Sequence, residues 1–221
     1  MNPGKKIVQS CELVDNLWMQ INDLGNSLIA MTEFALANGK FESLRSAGSA
    51  RSSFEVSASG WGYSSYAISF PVMEKKRRKI VPSAWINYQI SVFGSGIPPS
   101  SNGAEESIGP VLHVSFWHVS TDFKESGSYI EFPPVWDDWE IKDGNLLFWK
   151  NENYCQFPQW TFSIRLLDLN NEDAVQMAVI EPFSALLSGT LNDGEISAAL
   201  PGAICYTDNQ NKAFEWSITA C

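Results

Sequence analysis

The stretch SAWINYQISVF, residues 83–93, decides the fold class because its side chains alternate in character. Every second residue from Trp85 to Ser91 is Trp, Asn, Gln or Ser, whereas every second residue from Ala84 to Val92 is apolar. Successive side chains of a β-strand point to opposite faces. The pattern therefore predicts an amphipathic strand, the clearest in the chain.

Several other stretches show the same alternation and are predicted to be strands. They are SFEVSAS (53–59), YSSYAISFPV (63–72), VLHVSFWHVS (111–120), YIEF (129–132) and QWTFSIRLLDL (159–169). Trp139 and Ile141 match Leu146 and Phe148 across a turn rich in Gly and Asn, which predicts a hairpin. The tail GAICYTDNQNKAFEWSITA (202–220) predicts a last hairpin. About seven to nine mostly antiparallel strands follow from these patterns.

Residues 8–38 are predicted to form one long helix, because apolar residues recur at steps of three and four. The residues of this stripe are Val14, Leu17, Ile21, Leu24, Leu28, Met31 and Ala35. We favour a helix packed across the sheet. A helix that self-associates, as in a homodimer, or that binds a partner is the alternative.

A second helix is predicted within NNEDAVQMAVIEPFSALLSG (170–189), capped by Asn170 or Asn171 and expected to kink or restart at Pro182. Together the elements predict an α+β fold, with both helices packed on a mostly antiparallel, twisted sheet. We divide the chain into an N-terminal helix (1–41), a connector (42–53) and a sheet region (54–221), joined in one compact domain.

The chain is acidic, with a net charge of −10 that is unevenly distributed. Residues 51–100 carry a net charge of +4 and residues 101–221 carry −13. Such an acidic body repels nucleic acid and suits a basic protein partner, although solubility alone could explain it. The four cysteines lack metal-finger spacing, and no stretch has the length of a membrane span. We therefore expect free thiols and a cytoplasmic protein without membrane insertion.

Asp122, Glu140 and Lys142 resemble part of a restriction-type nuclease core, in which an Asp and a Glu-x-Lys hold Mg²⁺ on adjacent strands. The acidic surroundings and the turn that begins after Lys142 disfavour this interpretation. The alternative places Glu140 and Lys142 in a hairpin, in which Lys142 is a solvated turn residue.

The two histidines give a second alternative, a small-molecule-binding protein or an enzyme. His113 would be the polar anchor of a pocket built by the sheet, and the loop 94–110 would act as a lid. His113 and His118 are five residues apart on one predicted strand and should point to opposite faces, so they cannot converge on one phosphate.

We favour a non-enzymatic interaction protein of the inhibitor, immunity or adaptor type, because no catalytic constellation, metal site or cofactor motif is present. The predicted partner-binding residues are Trp136, Asp137, Asp138 and Trp139, together with Trp18 on the helix. A basic run could contact nucleic acid, lipid or protein, or could guard a strand edge; it consists of Lys75, Lys76, Arg77, Arg78 and Lys79. An acidic mimic of DNA is a further alternative.

Overall fold

The fold is described from a computed structural model of the chain. It describes residues 3–38, 41, 44–56, 63–75, 82–92, 109–123, 140–149, 157–191, 196–207 and 215–217. The predicted α+β class is confirmed, with a long N-terminal helix, a second helix in the C-terminal half and an antiparallel sheet.

The N-terminal helix α1 spans Pro3–Ala37 and begins five residues earlier than the sequence pattern predicts. Its end agrees with the prediction, because the Asn38 side chain donates a hydrogen bond to the carbonyl oxygen of Phe34 at 2.9 Å. A Cβ atom on Gly25 would lie only 3.2 Å from side-chain atoms of Ile68 and Tyr66. Glycine at this position therefore lets the helix approach the sheet closely.

The main sheet has eight strands in the order β1-β3-β4-β5-β8-β7-β6, with β2 also paired to β3. Its strands are β1 (Leu44–Ser46), β2 (Arg51–Val56), β3 (Tyr63–Glu74), β4 (Ala84–Ser91), β5 (Val111–Trp117), β6 (Glu140–Lys142), β7 (Leu146–Trp149) and β8 (Gln159–Arg165). Every pairing is antiparallel, as predicted. The predicted connector 42–53 is wrong in part, because Leu44 is fully buried in β1 and β2 already begins at Arg51.

The predicted hairpin around Asp143 is confirmed, but its predicted register is wrong by one residue. Lys142 pairs with Leu146, so Ile141 lies opposite Leu147 instead of Leu146. The reason is a three-residue turn in which Asp143 and Gly144 adopt positive φ angles of 52° and 76°. Turn length fixes the register of a hairpin, and it cannot be read from the apolar pattern alone.

The second helical segment consists of α2 (Glu172–Val175), a π-helical turn (Gln176–Ile180) and α3 (Glu181–Leu191). Asn171 is the cap, because its side chain accepts a hydrogen bond from the backbone N–H of Ala174 at 2.8 Å. The π-helical turn ends at Ile180, two residues before Pro182, which lacks the N–H that a regular helix needs there. The helix is therefore irregular just before Pro182, where a kink or restart was predicted, and it continues through Pro182 to Leu191. The predicted last hairpin is also present, as β9 (Cys205–Thr207) paired with β10 (Glu215–Ser217).

The main core lies between the helices and one face of the sheet. Trp160 of β8 is fully buried at its centre, with its ring centroid 5.8 Å from that of Phe116 and 5.0 Å from that of Phe183 on α3. Its indole N–H donates to Thr190 Oγ1 at 2.9 Å. The buried part of α1 contributes Ile21, Leu28, Ala35 and Leu36 to the same core.

The opposite face of the central strands is also buried, although the sequence assigns it polar residues. Asn87, Gln89 and Ser91 of β4 are each at most 1% exposed. The predicted alternation in residues 83–93 is thus confirmed for the strand β4, whose successive side chains point to opposite faces of the sheet. What the sequence did not predict is that the polar face lies inside the protein.

Candidate functional site

The apolar stripe of α1 divides into a buried and an exposed half. Ile7, Val14, Ile21, Leu28 and Ala35 are spaced seven residues apart. The last three are at most 2% exposed, whereas Ile7 is 65% exposed and Val14 is 40% exposed. A seven-residue step drifts by only about 20° around a helix, so all five residues lie within one broad stripe. The stripe that binds the helix to the sheet therefore continues onto uncovered helix.

The uncovered part, which we call the overhang, comprises residues 4–16. Every residue from Gly4 to Asn16 is exposed, and the half-buried pair Leu17 and Trp18 marks the junction with the core. Thirteen helical residues span about 20 Å at 1.5 Å each. Isolated helices of this length are marginal in water, because most helix stability in proteins comes from packing an apolar face. The overhang thus lacks, within the described part of the chain, the packing that stabilises the rest of α1.

The charges of the overhang are arranged in order along its length. Lys5 and Lys6 lie in its first turns, and Glu12 and Asp15 lie toward the core. The overhang therefore has a positive outer end and a negative inner end. Val8 is also exposed, at 56%, but it lies 100° around the helix from Ile7 and outside the stripe.

The buried polar face, which we call the polar layer, is built from rows of side chains that face each other across the strands. One row joins Ser69, Asn87, Ser115 and Thr161, and the next joins Ala67, Gln89, His113 and Ser163. Directly opposed residues on paired strands share a face, so the register alone brings these side chains together. Polar residues on four separate strands thereby form one hydrogen-bonding surface.

His113 is the most buried titratable group of the polar layer. Its Nδ1 lies 2.6 Å from Ser163 Oγ, which in turn lies 2.7 Å from the hydroxyl of Tyr206. Burial lowers the pKa of His113 to about 3, since the charged imidazolium would lose its hydration. Burial also raises the pKa of Tyr206. Both groups are therefore neutral at pH 7, and neutral His113 is poorly suited to act as a general acid near neutrality.

A second branch of the polar layer consists of hydrogen bonds among neutral groups. The indole N–H of Trp117 donates to Thr161 Oγ1 at 3.1 Å, and that hydroxyl donates to Ser115 Oγ at 3.0 Å. The backbone N–H of Thr121 donates to Ser69 Oγ at 3.0 Å. Hydrogen bonds of this kind supply partners to buried polar groups and help to fix the strand arrangement. The described contacts thus assign the polar layer a structural role.

His118 lies just beyond β5, which ends at Trp117, and not within the predicted strand. It is half-buried, and its ring Nδ1 and backbone N–H both contact Gln159 Oε1. His113 and His118 therefore bind different partners and do not converge, as the sequence analysis expected. The predicted lid residues 94–108 lie outside the described residues.

The residues of the nuclease hypothesis lie at opposite edges of the sheet. Asp122 accepts a hydrogen bond from Ser53 Oγ of β2 at 3.2 Å, whereas Glu140 and Lys142 are on β6. Six strand spacings separate β2 from β6, which is about 29 Å measured along the sheet. The Lys142 ammonium lies 3.7 Å from the centroid of the Phe148 ring, in a cation–π contact. The sheet therefore does not bring these three side chains together into one site.

The remaining predicted contact residues are only partly within the described chain. Trp18 is half-buried at the junction of the overhang with the core, and Lys75 is exposed at the end of β3. Residues 136–139 and 76–79 lie outside the described residues, so the acidic and aromatic surface and the basic run stay predictions. Ile7 was missed because the predicted helix began at residue 8; the seven-residue spacing back from Val14 could have identified it.

Comparison of the chain with protein-family models, with curated proteins and with solved structures finds no match. Within the described part of the chain, no three His, Cys, Asp or Glu side chains are grouped closely enough to hold a metal ion. None of the helices in that part combines the length and the apolar character needed to cross a membrane.

Proposed function

We propose that this protein is a non-enzymatic interaction protein that binds another polypeptide through the overhang of α1. The observation that carries the proposal is the continuation of one apolar stripe from the core onto exposed helix, where Ile7 and Val14 are uncovered. Amphipathic helices commonly bind partners by such a stripe, with anchors three, four and seven residues apart. Burial of apolar area on each anchor would supply the affinity.

The charge of the chain supports a basic partner for the rest of the surface. A net charge of −10 favours association with positively charged proteins and raises their rate of encounter. The predicted contact residues 136–139 belong to the strongly acidic part of the sequence. Cytoplasmic localisation is proposed as well, and the free thiol of Cys11 supports it because reduced cysteines are typical of that compartment.

The proposal predicts that two substitutions in the stripe abolish capture of the partner. The double variant Ile7→Gln/Val14→Gln removes the two exposed residues of the seven-residue series but keeps good helix-forming residues and the same charge. A tagged wild-type chain should retain its partner from an extract of the native host, and the double variant should lose it. With the partner purified, titration calorimetry should show an affinity at least about 10-fold weaker, equivalent to about 1.4 kcal/mol.

Val8→Gln is the matched control, because it replaces an apolar residue of similar exposure outside the stripe. We expect it to bind like the wild-type chain. Equal affinity of wild type and double variant for the purified partner would contradict the proposed function.

A further inference from the structure

We draw no further inference here: the strongest candidate, the exposed apolar stripe of the overhang around Ile7 and Val14, belongs to the surface already proposed to bind a partner, and nothing in the described part of the chain shows what covers it.

Discussion

Trp160→Ala should destabilise the protein by about 3–5 kcal/mol. The side chain is fully buried and contacts aromatic rings from both layers of the main core, among them Phe116, Phe162 and Phe183. Truncation would leave a cavity that rigid strands on both sides cannot fill. Urea denaturation followed by far-UV circular dichroism would measure the loss in the free energy of unfolding.

Thr190→Val is the partner variant for this test. It keeps the shape of the site but removes the oxygen that accepts the Trp160 indole N–H at 2.9 Å. An unsatisfied buried donor costs about 1–3 kcal/mol, so this change should be smaller than the truncation. A loss below about 1 kcal/mol for Trp160→Ala would show that the ring does not lie at the centre of the core.

The second large effect is a loss of stability in mild acid that originates at His113. Its pKa is lowered from 6.5 to about 3 by burial. At a pH between these two pKa values, the unfolded chain binds a proton at His113 and the folded chain does not, so acid favours unfolding. The stabilisation is complete above pH 6.5 and is lost progressively as the pH falls toward about 3. Each pH unit below 6.5 costs about 1.4 kcal/mol.

The measurement compares unfolding free energies at pH 7 and pH 5, a range above most carboxylate titrations. Wild type should lose about 2 kcal/mol more than His113→Gln between these pH values. His118→Gln should retain the His113 effect, because Gln159, not His113, contacts the His118 ring. An equal loss in wild type and His113→Gln would contradict the burial of a neutral His113 beside Ser163.

Much of the fold could be predicted from the sequence where local patterns decide the outcome. The alternation around Asn87 and Gln89 identified β4, and the helical spacing of Ile21 and Leu28 identified the buried part of α1. The cap at Asn171 and the irregular turn before Pro182 follow from the chemistry of one side chain each. These features depend on a few neighbouring residues, so the sequence contains the necessary information.

Other features could not be predicted because they depend on partners distant in the chain. The alternation in β4 did not indicate that its polar face is buried, yet register with β5 and β8 places His113, Ser115 and Ser163 in one buried layer. The short edge strand β1 was not predicted, because Leu44 is its only apolar residue. Its strand conformation depends on pairing with β3. The overhang combines both cases. Its helical conformation follows from the local sequence pattern, whereas its exposure depends on where the sheet ends.

The central claim is that α1 has two parts, one that belongs to the core and one that binds a partner. Hydrogen exchange of the α1 amides, measured in the wild-type protein alone and with the purified partner, tests it most directly. We predict that amides of residues 22–36 are protected in both samples, and that amides of residues 4–16 exchange rapidly in the protein alone and become protected when the partner binds. Protection of residues 4–16 that is the same with and without the partner would contradict the claim.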